Sequence, residues 1–290
     1  MILVVGATGY LGGMITRRLL EQGHNVRVLV RPTSDYQPLV QAGAHPSTGD
    51  LKNPFSLSTA CEGVEIVITT ANSAQRGGDD NPQTVDLEGN RSLIDAAHQT
   101  GVQQFIFISG AGSDVNSPVP FMQAKAKTEQ YLQASGLNYT IFVPNLFMDV
   151  WIPMIIGTAL QQQQPVRIIG EGQRQHSFIA VHDVAAFAVA AIRHQAAVNQ
   201  HIPLGGPEAI SWRDIIATTE RVLNRSIPLQ TLAIGDMLPG FPELITGLMT
   251  SLEMQNTIMP MEETAQRFNV QQTTVEQFVR QAFATYATTS

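Results

Sequence analysis

Residues 1–20 read Met1-Ile-Leu-Val-Val-Gly6-Ala-Thr-Gly9-Tyr-Leu-Gly12-Gly13-Met-Ile-Thr-Arg-Arg-Leu-Leu20. The apolar run Ile2 to Val5 passes directly into glycines, and then into Met14, Ile15, Leu19 and Leu20 at helical spacing. A strand, a glycine turn and a helix are the parts that hold a dinucleotide's pyrophosphate. Glycine supplies the positive backbone angles of the turn and lets the backbone come close to the phosphates, and the first helical N–H groups face the anion. Gly6, Thr8, Gly9, Tyr10, Leu11 and Gly12 are the expected contacts. The spacing alone is a weak signal that an ordinary glycine turn at a βα junction would also give. Its place between a strand and a helix gives it force.

Working outward, strands and helices alternate. Strands are expected at Val26 to Val30, Ala44 to Ser47, Ile66 to Thr70, Phe105 to Ile108 and Tyr139 to Val143. Helices are expected at Tyr36 to Gln41, Asn53 to Ala60, Thr84 to Gln99 and Pro120 to Ala134. Six strands joined by helical crossovers imply an α/β, Rossmann-type, doubly wound parallel sheet. After Pro144 the rhythm loosens. Asp149 to Leu160 reads as helix, Val166 to Ile169 and Ser177 to Val181 as strands, His182 to Arg193 as helix and Ile202 to Leu204 as strand. Ser211 caps a helix to Leu223 with Asp214 three residues on. Residues 1–150 are thus expected to form the NAD(P)-binding core, with 176–206 returning to it. Residues 151–290 are expected to form a smaller α/β substrate-binding or lid part.

The corner after the second strand chooses the nucleotide. NAD-binding proteins of this plan place an acid there, on the ribose 2′-OH. Here it reads Val30-Arg31-Pro32-Thr33-Ser34. Arg31 can pair with a 2′-phosphate, so NADP(H) is preferred over NAD(H); the alternative is a solvated arginine ending a strand. Asp50, with Leu51 beside it, lies at the tip of the third strand, as an adenine contact or as a turn residue. Asn72, at the end of the fourth strand, is a candidate for the cofactor ribose.

Composition narrows the partners. The chain of 290 residues has a net charge of −7 and 14% charged residues, with no basic run, so no nucleic-acid footprint is present. The longest apolar stretch, Leu146 to Leu160, is interrupted by Asp149 and Pro153 and falls short of the roughly 20 residues of a membrane span. Cys61 is the single cysteine and the seven histidines form no metal constellation, so no metal is expected. His176 and His182 flank an expected strand and read as structural. A first strand at residue 2 leaves no room for a leader, and a cytoplasmic protein is expected, as monomer or homodimer.

With these residues placed, the chain resembles the NmrA-like group of atypical short-chain dehydrogenases/reductases, and also the isoflavone-reductase-like and NADPH:quinone reductase-like proteins. The resemblance covers roughly residues 1 to 225. It rests on Gly6-Ala-Thr-Gly9-Tyr-Leu-Gly12, Gly49-Asp50-Leu51, Val85-Asp86-Leu87 with Gly89-Asn90, Phe105 to Ala111, Pro144 to Met148, and Phe178 to Ala185. Many relatives carry Tyr-x-x-x-Lys, with the tyrosine as proton donor. Here the stretch is Phe121-Met-Gln-Ala-Lys125, and phenylalanine has no proton to give. The isoflavone-reductase-like resemblance implies an acid/base role for Lys125 instead. Lys125 can also hold the nicotinamide ribose or stabilise an oxyanion, unless it is a surface lysine like its neighbour Lys127. Ser109, after the fifth strand, can bond a substrate oxygen or serve as a turn serine. Phe121, Asn145, Phe147, Met148 and Trp151 are the candidate substrate pocket, joined by a Met-rich stretch beyond Asp236 that reads either as lid or as ordinary core.

Two functions follow. One is hydride transfer from NADPH to a small apolar conjugated acceptor, a quinone, enone or aryl compound. The other is a non-catalytic NADP(H)-binding redox sensor acting through protein partners.

Overall fold

The computed structural model describes residues 1–74 and 76–284. In chain order the first elements are β1 (Ile2–Val5), α1 (Tyr10–Glu21), β2 (Val26–Val30), α2 (Gln37–Gln41), β3 (His45–Thr48), α3 (Pro54–Cys61) and β4 (Ile66–Thr69). A π-helical stretch (Pro82–Gly89) runs into α4 (Asn90–Gln99), followed by β5 (Gln104–Ile108), α5 (Pro120–Ala134) and β6 (Tyr139–Pro144). Next come α6 (Met148–Ile152), a second π-helical stretch (Pro153–Gly157), α7 (Thr158–Gln161), β7 (Val166–Ile169), α8 (Val181–Ala190) and β8 (Gln200–Leu204). The chain ends with α9 (Trp212–Leu223), β9 (Leu229–Leu232), α10 (Glu243–Met254), α11 (Glu262–Phe268) and α12 (Val275–Ala282).

Residues 1–144, 184–203 and 267–270 form one compact unit. Its sheet has seven strands in the order β3-β2-β1-β4-β5-β6-β8. β1 pairs in parallel with both β2 and β4, Val5 lying opposite Leu29 on one side and Thr69 on the other. The strand order therefore reverses at β1, the position where nucleotides bind in such sheets. β1, β4 and β5 are buried along their whole length, as parallel strands covered by helices on both faces must be. Leu3, Val67, Phe105, Phe107 and Ile141 anchor the core with no exposed surface. Phe142, Phe187 and Phe268 meet at ring-centroid distances of 6.0 to 6.4 Å, which ties the two returning segments to β6.

Residues 145–183, 204–266 and 271–284 form the second unit. It holds the parallel pair β7–β9, from Val166 opposite Leu229 to Ile169 opposite Leu232. Ile152, Ile168, Phe178, Ile215 and Val279 are in its core. Capping boxes open α9 (Ser211 with Asp214) and α12 (Thr274 with Gln277), each satisfying N–H groups that lack helical partners.

Three expectations are corrected. The helix expected from Thr84 begins two residues earlier, at Pro82, and its first part is π-wound. Asn90 explains the wider turn: its Nδ2 donates to the carbonyls of Val85 (3.1 Å) and Asp86 (3.2 Å), taking acceptors a regular helix would use. The helix expected from Asp149 to Leu160 is likewise broken into α6, a π stretch and α7, with the change at Pro153, which lacks an N–H. Ser177 to Val181 is not a strand. The amides of His176, Ser177 and Ile179 donate to Ile210, Thr257 and Leu146, three separate segments, so no ladder propagates.

His176 is buried and its Nδ1 lies 2.9 Å from the Thr257 hydroxyl. Burial pulls its pKa down from 6.5 to about 4. Above 6.5 the ring is neutral whether the chain is folded or not. Below that the unfolded chain takes the proton first, and folding is progressively disfavoured as pH falls to about 4. Thermal melting across this window should show a shallower loss of Tm with falling pH for His176→Gln than for the parent; identical slopes would exclude His176 as the group responsible.

Candidate functional site

The glycine turn is built for close approach. Gly6 has φ +84°, and a Cβ there would sit 2.7 Å from the Thr70 hydroxyl and 2.9 Å from the Ala71 amide. A Cβ on Gly12 would lie 2.2 Å from the Gly6 carbonyl oxygen, so α1 rests directly on the turn. The Gly9 amide donates to the Gly6 carbonyl at 3.0 Å. Gly9 is the N-cap of α1 and offers no side-chain cap, and the first turn carries no acid. Thr8, Gly9 and Tyr10 are exposed, while Leu11 is half-buried. First-turn N–H groups with neither a side-chain cap nor a carboxylate beside them form an anion site. A cradle with no room for a side chain fits a diphosphate. Thr70 and Ala71, which complete its wall, carry no sequence signal of their own.

At the carboxyl ends of β2 and β3, Arg31 meets residues the sequence reading did not include. Arg31 Nη1 donates to Asp80 Oδ2 (2.7 Å), Lys52 Nζ to Asp80 Oδ1 (2.6 Å) and Arg76 Nη1 to Asp80 Oδ2 (3.2 Å). Foremost the Lys52 hydrogen bond, and also those of Arg76 and Arg31, hold the Asp80 pKa down at about 2. Asp50 makes a turn, its Oδ1 accepting from the Lys52 amide at 2.8 Å. Leu51 is buried in the core of its unit. Asn72 lies three residues beyond the observed end of β4, not at its tip. It too forms a local turn, its Oδ1 accepting from the Ala74 amide at 2.9 Å.

Lys125 is buried, with 2% of its surface exposed, so the surface-lysine alternative is excluded. Its Nζ donates to the Ile108 carbonyl (3.1 Å) at the end of β5 and stands 3.7 Å from Asp86 Oδ1. That carboxylate oxygen has no hydrogen-bond partner among the described residues, and the ammonium is its counter-charge. Asp86 Oδ2 accepts from the amide (3.0 Å) and hydroxyl (2.6 Å) of Ser73. Lys125 Nζ also lies 4.8 Å from the centre of the Phe107 ring and 5.6 Å from that of Phe121. Burial lowers the Lys125 pKa, against the pull of Asp86 and Glu129. Lys127 is half-buried, and its Nζ donates to Gln123 at 2.9 Å. The Ser109 hydroxyl donates to Glu129 Oε1, and the other Glu129 oxygen lies 3.1 Å from His201 Nε2. The resemblance pointed at Asp86 only as part of a motif. Its spacing gives no hint that the π-wound helix turns it toward Lys125.

The remaining candidates lie in the second unit. Asn145 is buried, and its Nδ2 donates to the carbonyls of Ser177 (3.1 Å) and Thr257 (2.9 Å). Phe147 is half-buried at the start of α6, whereas Met148 and Trp151 belong to the core of that unit. The Met-rich stretch divides: Leu238, Met249 and Met261 are buried, while Met237, Leu244 and Met254 are 54%, 59% and 63% exposed.

Among the described residues no group of side chains could hold a metal ion, and no helix is long and apolar enough to cross a membrane. Residues 6–195 match the sequence model of a family described as NAD(P)H-binding. The photosystem II assembly factor Ycf39 of Cyanophora paradoxa is 36% identical over 81% of this chain and 72% of its own length. The NAD(P)H azoreductase of Xenophilus azovorans is 29% identical over 87% of this chain and 86% of its own. Among solved structures, the NADPH-dependent quinone oxidoreductase of Escherichia coli, complexed with NADPH, superposes with a TM-score of 0.81 at 21% identity. That match covers 98% of this chain and all of the other.

Gly12→Ala drives a methyl group into the Gly6 carbonyl. It should weaken NAD and NADP alike by roughly 10- to 100-fold, the cost of overpacking a close contact, as read by calorimetric titration. Unchanged affinity for both would place the diphosphate elsewhere.

Proposed function

The chain belongs to the NAD(P)H-binding family, and on that footing we propose that it is an NADPH-dependent reductase of small, flat, apolar conjugated acceptors: quinones, enones or aryl compounds. The observation that carries this reading is the buried Lys125 faced by Phe121, where a phenolic acid would stand in the relatives that use one. Acceptors whose reduced oxyanion is delocalised have the least need of a strong acid. When bound, NADPH supplies the hydride. The first turn of α1 with Gly6, Thr8, Gly9 and Gly12 holds the diphosphate, and Arg31 the 2′-phosphate. Lys125, on α5 with its Nζ at the end of β5, places positive potential where negative charge develops on the acceptor. Its lowered pKa makes it a readier proton donor than a solvated lysine. The rings of Phe107 and Phe121 keep water from that ammonium. The azoreductase relative acts, by its name, on a conjugated aryl substrate.

A second reading, a non-catalytic NADP(H)-binding regulator with protein partners, is supported by the relatives named as photosystem II assembly factors, at 32% and 36% identity.

Purified protein with NADPH and a panel of quinones, enones and azo dyes, followed by loss of reduced-nicotinamide absorbance, separates the two. The reductase oxidises NADPH with at least one class, and Lys125→Met slows it by roughly 100-fold, the effect of removing an oxyanion donor. Lys125→Met also leaves Asp86 as a buried uncompensated charge, which costs about 3–5 kcal/mol. The double variant Lys125→Met/Asp86→Asn, in which that charge is gone, should be equally slow while melting near the parent. Tight NADPH binding with no oxidation across the panel establishes the regulator.

Arg31→Ala should weaken NADP(H) by roughly 10- to 100-fold, the loss of a hydrogen bond to a charged group, and leave NAD(H) nearly unchanged in the same titration. Equal losses would remove the 2′-phosphate assignment.

A further inference from the structure

Three cations converge on one carboxylate beside the cradle. Asp80 takes Arg31, Lys52 and Arg76 at 2.7, 2.6 and 3.2 Å, from three segments: the end of β2, the turn after β3 and the loop after β4. In the sheet β1 lies between β2 and β4. The Asp80–Arg31 contact therefore joins the loop after β4 to the end of β2 across the carboxyl edge of β1, where the Gly6 turn begins. Other carboxylates act on this cluster: Asp50 and Asp79 both bear on Lys52. Asp50 already accepts from the Lys52 amide.

The cluster is poorly matched to a single carboxylate. Arg31 and Arg76 each give Asp80 one nitrogen, Nη1, although a guanidinium presents a fork suited to two-point contact with an oxyanion. The three side chains are a third or more exposed, and ion pairs at such positions are weak. A phosphate monoester offers three terminal oxygens and nearly two negative charges, one oxygen for each cation. We propose that Asp80 is a resident competitor for the 2′-phosphate of NADP(H), standing in its place among Arg31, Lys52 and Arg76, and so sets how strongly this protein prefers NADP(H) over NAD(H). This rests on the reading of Arg31 as a 2′-phosphate ligand. NAD(H) brings a neutral hydroxyl to the same place. It has no charge with which to displace Asp80, and it can donate a hydrogen bond to the carboxylate, as it does to the strand-end acid of NAD-binding sheets. Asp80 therefore narrows a preference that the three cations alone would make steeper.

The test is calorimetric titration of the full-length protein with NADPH, NADH and 2′,5′-ADP, a probe that carries the phosphate without the nicotinamide. Asp80→Asn keeps the side chain's shape and removes its charge. The expected result is roughly fivefold tighter binding of NADPH and of 2′,5′-ADP, the scale on which weak surface ion pairs compete, with NADH unchanged or weaker. Asp80→Ser should do the same. Weaker NADPH binding would show that Asp80 holds the cations in place instead. An equal change for NADPH and NADH, or no change for either, would also overturn the proposal. Arg31→Ala in the parent background is the separate control: if it does not lower NADPH and 2′,5′-ADP affinity selectively, the 2′-phosphate reading itself has failed.

Discussion

The whole first unit is organised by the place where α1 rests on the end of β1. Gly12 brings its Cα against the Gly6 carbonyl at a distance that leaves no room for a methyl group. That contact fixes the angle at which the helix leaves the sheet and brings its uncapped first turn to the carboxyl edge. Its position in the sheet gives the contact meaning, because strand order reverses at β1 and a crevice opens beside it. The surrounding close approaches follow from it. Gly6 presses on Thr70 and Ala71, and the segment after β4 is thereby held beside the turn.

The buried polar groups follow a different logic. Asp86, Lys125, Ser73, Thr128 and Asn90 are all at or near zero exposure, and each is bound to another member of the group or to a backbone carbonyl. Such a network tolerates few alternatives, because removing one partner strands another in a low-dielectric interior. It joins β4, the π-wound helix, the end of β5 and α5. The lysine proposed to act on the acceptor is thus also a structural member of the core. Phe121 sits over that ammonium where a phenol would have made a proton donor of the same geometry.

Much of this was legible in the residues themselves. The apolar run before Gly6 and the βα rhythm to Val143 gave the parallel sheet, because such strands are apolar on both faces and short enough to count. Ser211 announced its helix as a cap. Periodicity was silent where backbone partners changed. Asn90 widens its own helix through side-chain bonds that no spacing reveals. Ser177 to Val181 is a short apolar run like a buried strand, but its amides at Ser177 and Ile179 bond to different segments. β9 is not legible in the sequence, because Leu229 to Leu232 carries only two partly buried leucines. Arg31 stands out as a candidate in the sequence because strand ends are positions of known chemistry. Lys52, Arg76 and Asp80 do not, since they gather from three loops whose meeting depends on the order of the strands.

The first unit is threaded from three separate stretches of polypeptide, 1–144, 184–203 and 267–270. β8 completes the sheet beyond β6, and Phe268 closes an aromatic cluster on Phe142. During synthesis, β6 therefore emerges from the ribosome well before the strand that covers its flank. For the time needed to translate the intervening segment, the nascent chain carries a bare sheet edge and an unfinished aromatic core, the features that draw chaperones and promote misassociation. Fragments that stop after β6 inherit that exposure permanently, so dissecting this protein at its apparent boundary would yield an aggregating piece.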